Sequence, residues 1–475
     1  MADPLTPDIC VIGGGSAGLT VAAAASQLGA DVVLVEKAKM GGDCLNYGCV
    51  PSKALIAAAK HAHTFTASEA FGIKSMTPEI DFEAVNAHIK GVIGHIAPHD
   101  SVERFEGLGV TVIEDEAVFT GKTTLMAGET EIHARRYVIA TGSRPVVPPI
   151  EGLGDAPYLT NETIFDLTEK PEHLVIIGGG PIGMEMAQAY RRLGSKVTVL
   201  EAEKALSRED PELRSIAIDR VLAEDIDLRE GVKATRVARK DGGIAVTIAG
   251  LDTEETVTGS HLLVAVGRAP NVEGLGLEAA KVKTTKAGIK VSSGLKTSNR
   301  RIYAVGDVNG GPQFTHSAGY EGGLVVRNAL YRLPIRRNPV IIPRATYTDP
   351  EIAWVGLDEA AARRKYNNRF KVLRWDYGDN DRAAAERRTD GLLKVLTDRG
   401  GTIIGAGAVG PLAGEMIALY ALAVANRLKV GAFTRMVAPY PTITEAAKRI
   451  AVEFYRDKLD NPWLLRLLKL NRLLG

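Results

Sequence analysis

Three cysteines in 475 residues are too few for a disulfide framework. The cytoplasm is the expected compartment, and there a disulfide that forms is catalytic rather than structural. Neither charge is in excess, with 58 Lys and Arg against 57 Asp and Glu. That balance offers no basic surplus for nucleic acid and no acidic, disordered tail. The chain has no uninterrupted run of about 18 apolar residues, so no membrane span is expected. Residues 1–7 have no basic stretch leading into an apolar one, so no secretory leader is expected. Histidine is absent after His316, which leaves the last third of the chain without imidazole.

Glycine, in contrast, is abundant at 50 residues, against an average usage of about 7%. Much of it punctuates an internal repeat. The apolar run Asp8-Ile-Cys-Val-Ile12 leads into Gly13-Gly-Gly15-Ser-Ala-Gly18, a small-residue helix and a second strand ending at Glu36. The pattern returns as His173-Leu-Val-Ile-Ile177, Gly178-Gly-Gly180-Pro-Ile-Gly183, a helix to Leu193 and a strand ending at Glu201. First glycine and closing glutamate are 23 residues apart in both copies. In a nucleotide-binding turn of this kind, the first glycine permits the tight turn and the second lets backbone approach the pyrophosphate. The third lets the helix lie close on its strand. The helix N-terminus faces the phosphates, and the acid bonds the ribose. Two such sites imply two cofactors, with a flavin a candidate for one.

Three further strand-like runs end in glycine: Tyr137 to Gly142, His261 to Gly267 and Ile302 to Gly306. Ligands in open α/β sheets lie beyond the carboxyl ends of strands, so these ends are candidate cofactor contacts. Past about Pro343 the texture changes. Strand-like stretches at Phe370–Trp375 and Gly391–Leu396, with helical stretches at Gly414–Arg427 and Thr444–Lys458, suggest an α+β domain. At about 100–200 residues per domain, the length fits roughly three domains.

The redox chemistry is written in Gly41-Gly-Asp-Cys44-Leu-Asn-Tyr-Gly-Cys49-Val-Pro-Ser-Lys53. Two cysteines separated by four residues can meet in a helix turn, where a disulfide opens and closes without large motion. A helix N-terminus or Lys53 would stabilise a thiolate there. Cys10 lies inside the first strand and reads as core.

These segments, with Ala140-Thr-Gly-Ser143, Val266-Gly-Arg-Ala-Pro-Asn271, Gly306-Asp307-Val308 and Tyr347-Thr-Asp-Pro-Glu351, resemble the class I pyridine nucleotide–disulfide oxidoreductases. That family includes dihydrolipoamide dehydrogenase, glutathione reductase and mercuric reductase, and the resemblance runs along essentially the whole chain. It implies an α/β fold with two Rossmann-like nucleotide-binding domains. FAD would occupy residues 1–150 and 270–342, NAD(P) residues 151–269, and 343–475 would form a C-terminal α+β dimerisation domain. FAD would lie on Gly13, Gly15, Gly18 and Glu36, with Ala117, Thr141, Gly142, Asp307 and Ala318 completing its site. NAD(P)H would bind at Gly178, Gly180, Gly183, Glu201 and Gly267. The acid at Glu201 favours NADH, while nearby Lys204 and Arg208 keep NADPH open. Cys49 would be the flavin-proximal thiolate and Cys44 the interchange thiol, with Lys53 and Glu185 paired between flavin and nicotinamide.

One departure from the family pattern bears on the acceptor. Disulfide-reducing members carry His-Pro-Thr-x-x-Glu, whose histidine is the acid–base for the partner subunit's thiols. Here the segment is Tyr440-Pro-Thr-Ile-Thr-Glu445. Tyrosine, with an ordinary pKa of about 10, is a poor base at neutral pH but still donates a hydrogen bond or contacts a metal-bound substrate. This tyrosine resembles mercuric reductase, whereas the paired-cysteine tail and the N-terminal metal-binding domain with its own cysteine pair that mark that family are not expected here. The expectation is a homodimeric, mercuric-reductase-like NADH reductase passing electrons to a metal ion, quinone or small disulfide, with Tyr440 and Glu445 serving the partner's cysteines. The alternatives are dihydrolipoyl dehydrogenase and a flavin-based redox sensor or membrane-associated partner. No metal site is expected: His61, His63, His95 and His99 read as ordinary histidines, and His316 is as readily structural. The basic, leucine-rich tail from Asn461 is expected to dock on its own domain or the dimer partner, with a membrane-surface helix as the alternative.

Overall fold

The computed structural model describes residues 3–240, 242–250, 254–456 and 461–473. The described chain divides into two compact units. The first comprises residues 3–205 and 226–339, and the second residues 206–225 and 340–456 with 461–473.

The first unit holds two parallel sheets. Strand β1 (Ile9–Ile12) lies at the centre of a five-stranded sheet in the order Ile302–Ala304, Arg136–Ile139, β1, β2 (Val32–Val35), β3 (Val110–Ile113). Every pairing in it is parallel. The strands read as continuous apolar runs because both faces are covered, as parallel sheets require. Cys10, on β1, is fully buried as core, and burial pushes its thiol pKa well up. The second sheet has the order Asp227–Glu230, Lys196–Glu201, His173–Ile177, His261–Val264, again all parallel. Helix α1 (Ser16–Gln27) follows β1, and helix Pro181–Arg192 follows His173–Ile177, so each Gly-rich segment is a strand-to-helix turn.

The second unit is built on a five-stranded antiparallel sheet, ordered Arg344–Thr346, Glu351–Gly356, Ile403–Gly410, Leu392–Asp398, Phe370–Asp376. Helices Ala413–Ala425 and Glu445–Glu453 cover it with a shared apolar core that includes Tyr420, stacked on Phe433. The latter helix is shorter than the stretch Thr444–Lys458 suggests, and residues 457–460 lie outside the described residues. Helix Pro211–Leu222, from the middle of the chain, packs in this unit. Buried Lys394 fastens it there, pairing with Asp210 at 2.8 Å, Glu212 at 2.5 Å and Glu359 at 3.1 Å.

The terminal helix Pro462–Leu473 is not docked on its own chain: each described residue from 461 to 473 is exposed. Among the described residues, no helix is long and apolar enough to cross a membrane.

Candidate active site

The two Gly-rich turns are conformational copies. Gly13 has φ +109° and Gly178 φ +110°. An added Cβ would meet the Ala140 oxygen at 2.5 Å in the first and the Ala265 oxygen at 2.5 Å in the second. A Cβ on Gly18 or Gly183 would come within 1.9 Å of the oxygen of Gly13 or Gly178. Only glycine combines the left-handed turn with such helix–strand approach. The middle glycines differ in kind. Around Gly180 an added Cβ meets nothing within 4 Å, and at Gly15 it meets only Gly42, at 3.8 Å. Those positions are open towards solvent, as a backbone that receives a pyrophosphate must be.

The closing acids repeat the geometry. Glu36 accepts from the Gly14 N–H at 2.5 Å and the Ala38 N–H at 2.8 Å. Glu201 accepts from Gly179 at 2.6 Å and Glu203 at 2.8 Å. Each carboxylate is thereby fixed at its strand end with lone pairs left for ribose hydroxyls. Helices α1 and Pro181–Arg192 begin at Gly15 and Gly180 without a side-chain cap, so their first-turn N–H groups stay available to an anion. These residues fit two dinucleotides. Thr141 and Asn271 close the turn beyond Arg136–Ile139 reciprocally, with Thr141 donating to the Asn271 carbonyl at 2.7 Å and Asn271 returning a bond at 2.9 Å. Gly142 and Gly267 both have positive φ and open surroundings. Ala117 begins the short strand Ala117–Phe119, and Ala318 lies buried in helix Thr315–Tyr331, where it flanks Gly306.

The cysteine segment does not form one helical turn. Cys44 lies in helix α2 (Gly42–Asn46), and Cys49 opens the 18-residue helix α3 (Cys49–Thr66). The break falls at Gly48, where an added Cβ would meet the Asp43 carboxylate at 2.9 Å. Both thiols are free. Breaking the helix places Cys49 at the positive end of a long helix, which favours its thiolate. The Cys49 pKa is lowered to about 6, chiefly by a hydrogen bond from Cys44; burial opposes this, while Thr315 and Lys53 assist. That same bond, with burial, raises Cys44. The pair therefore divides into a thiolate at Cys49 and a proton-holding thiol at Cys44. Lys53, one turn along α3, binds the buried Glu185 carboxylate at 2.8 Å. Glu185 belongs to the helix that starts at the second Gly-rich turn, so this ion pair joins the cysteine helix to the nucleotide helix.

Arg268 organises a network beside this pair. Its guanidinium donates to the Ser143 hydroxyl and carbonyl, both at 2.8 Å, and pairs with Asp43 at 3.0 Å. Ser143 donates in turn to Asp307 at 2.6 Å, and Asn161 also donates to Asp43, at 3.0 Å. Burial raises the Asp307 pKa, and the Ser143 bond opposes that shift. Ser143 and Arg268 lie within quoted motifs, but nothing in their spacing marks them as partners. Thr315, 3.5 Å from the Cys49 sulfur, has no sequence signal at all.

In the second unit, Tyr440 and Glu445 are not paired with each other. The Tyr440 hydroxyl donates to Asp381 at 2.8 Å, and that bond raises its pKa. Glu445 instead accepts from Arg449 at 3.0 Å. The described residues contain no cluster of three His, Cys, Asp or Glu side chains able to hold a metal ion.

The chain is similar to known proteins along its length. Residues 7–322 match the pyridine nucleotide-disulphide oxidoreductase family, and residues 342–451 match that family's dimerisation domain. The chain is 37% identical to a mercuric reductase of Streptomyces lividans over 460 residues, covering 95% of this chain and 96% of that one. It is 34% identical to a dihydrolipoyl dehydrogenase of Thermus scotoductus, covering 96% and 98%. Among solved structures, LpdA of Mycobacterium tuberculosis aligns with TM-score 0.86 at 26% identity, covering 95% of this chain and 99% of that one. The HOCl-induced flavoprotein disulfide reductase RclA of Escherichia coli, as its Cu(II) complex, aligns with TM-score 0.82 at 26% identity, covering 93% and 99%. The chain belongs to the pyridine nucleotide–disulphide oxidoreductase family. It is a flavin-dependent enzyme that uses FAD and a pyridine nucleotide.

Proposed function

We propose that the enzyme is an NADH-dependent, mercuric-reductase-like reductase that passes two electrons through Cys44 and Cys49 to a soft, thiol-bound metal ion. A quinone or small disulfide is the other acceptor class the site accommodates. For a metal the balance is NADH plus Hg(II) giving NAD⁺, H⁺ and Hg(0). FAD would be held on Gly13, Gly15, Gly18, Glu36, Ala117, Thr141, Gly142, Asp307 and Ala318, and when bound would supply hydride acceptance and electron delivery.

The chain's own residues do the rest. Gly178, Gly180, Gly183 and Gly267 seat the nucleotide, and Glu201 holds its ribose while opposing a 2′-phosphate. Glu185 fixes Lys53, whose charge adds to the Cys44 hydrogen bond in keeping Cys49 ionised. Cys44 keeps its proton until an acceptor engages it. Two soft thiol ligands suit a soft metal ion. Tyr440 and Glu445, in the dimer this reading requires, face the partner subunit's cysteines.

The observation that carries the choice of acceptor is Tyr440 itself. Its hydroxyl is bonded to Asp381, which raises its pKa further, so even less of it than of free tyrosine is ionised to act as a base at neutral pH. General acid–base help typically contributes 10²–10⁴-fold, which a dithiol–disulfide exchange needs and metal reduction does not. The 34% identity to a dihydrolipoyl dehydrogenase favours dihydrolipoamide as the second reading. The test is NAD⁺ reduction by dihydrolipoamide, wild type beside Tyr440→His. Slow wild-type turnover that the histidine accelerates supports the proposal; fast wild-type turnover restores the dehydrogenase.

A further inference from the structure

Helix Pro462–Leu473 presents Trp463 and six leucines to solvent, each between 47% and 82% exposed. A cluster of this size marks a protein or membrane interaction site. Its only charges are Arg466, Lys469 and Arg472, and residues 461–473 contain no acid. Spacings of three residues align those cations in one stripe. Leu464 and Leu467 lie on the opposite face with Asn471 between them, flanked by Trp463 and Leu468. Leu465, Leu470 and Leu473 fall beside or between the cations. The helix also lies beyond residues 342–451, the segment matching the family's dimerisation domain.

We propose that this helix lies in the surface of an anionic lipid bilayer. At 1.5 Å per residue its twelve residues reach about 18 Å, too short for a hydrocarbon core of about 30 Å. It therefore lies in the interface plane, with leucines among the acyl chains and Trp463 at headgroup level. The cations extend from their aliphatic stems to the lipid phosphates. Charge complementarity favours an anionic bilayer over a second copy of the helix, which would bring three more cations and no acid. The inference is independent of which acceptor the cysteines serve.

Flotation of the FAD-loaded, full-length enzyme with phosphatidylcholine vesicles, with and without phosphatidylglycerol, tests it. The enzyme should float only with phosphatidylglycerol and be released by high salt. Each basic residue near an anionic surface contributes roughly five-fold to partitioning. Reversing all three (Arg466→Glu, Lys469→Glu, Arg472→Glu) should lower partitioning by ~100-fold or more. Trp463→Ala with Leu467→Ala, which keeps helix propensity, should also weaken it. NADH oxidation with ferricyanide should be unchanged in every variant, showing that each is folded. Absent flotation, equal flotation without phosphatidylglycerol, or unchanged partitioning in the variants would overturn the proposal. So would light scattering in which the charge-reversed variant, without lipid, falls to a smaller assembly than wild type, since the helix would then be a protein contact.

Discussion

Tyr440 and Asp381 share a 2.8 Å hydrogen bond, with the phenol as donor and the carboxylate as acceptor. The bond and the negative charge both disfavour the phenolate, so Asp381→Asn should lower the Tyr440 pKa towards the ordinary value of about 10. NMR titration of labelled tyrosine, with Tyr440→Phe assigning the signal, reads the shift. An unchanged or higher value in Asp381→Asn would show that the bond does not form in solution.

Cys49 should be the reactive thiol of the reduced enzyme. Its alkylation by iodoacetamide should rise with pH around a midpoint near 6, while Cys44 stays slow because its proton is held. Lys53 favours the thiolate, so Lys53→Met should move the midpoint upward. Mass spectrometry of the two cysteine peptides separates the rates. A wild-type midpoint near the ordinary thiol value of about 8.5 would contradict the assignment.

Glu201 should set nucleotide choice. Its carboxylate is fixed by Gly179 and Glu203 where a 2′-phosphate would meet like charge. Glu201→Ala should reduce the ratio of kcat/KM for NADH over NADPH by roughly ten-fold or more. Steady-state rates with both nucleotides check this, and an unaltered ratio would locate discrimination elsewhere.

Lys394 should matter for stability. Burial alone would lower its pKa, but bonds to Asp210 and Glu212 outweigh burial and raise it. Lys394→Met leaves buried Asp210 without its cation and should cost about 3–5 kcal/mol, seen as a lower denaturation midpoint. Glu212 is held down to about 2, first by Arg374 and also by Lys394. Its contribution is fully present above its unfolded pKa and is lost as pH falls through the folded value. Acid unfolding of the wild type should therefore include this carboxylate, and in Lys394→Met the Glu212 contribution should shrink. An unchanged denaturation midpoint would show that the cluster is not stabilising.

The two Gly-rich turns were legible because their geometry is local. Glycines with one permitted conformation and a closing acid at fixed spacing determine the turn without long-range contacts. The cysteine pair was legible for the same reason, but its geometry was not. Spacing alone suggests one helical turn, whereas Gly48 splits the segment and makes Cys49 the first residue of a new helix. Arg268, Asp43 and Asn161 meet across more than 100 residues of chain each, and Thr315 reaches Cys49 across 266. No periodicity encodes such pairings. Helix Pro211–Leu222 follows the second nucleotide motif in sequence, yet it packs in the second unit, where Asp210 at its start pairs with Lys394, nearly 200 residues on.

The claim that electrons leave through the cysteine pair is tested most directly by NADH-dependent turnover of thiol-complexed Hg(II), wild type beside Cys44→Ser. Ferricyanide, which takes electrons from the flavin itself, serves as the control acceptor. The account predicts measurable wild-type Hg(II) turnover and a loss of more than ~100-fold in Cys44→Ser, with ferricyanide reduction retained. Full Hg(II) turnover in Cys44→Ser, or none in a wild type that turns over dihydrolipoamide rapidly, would contradict it.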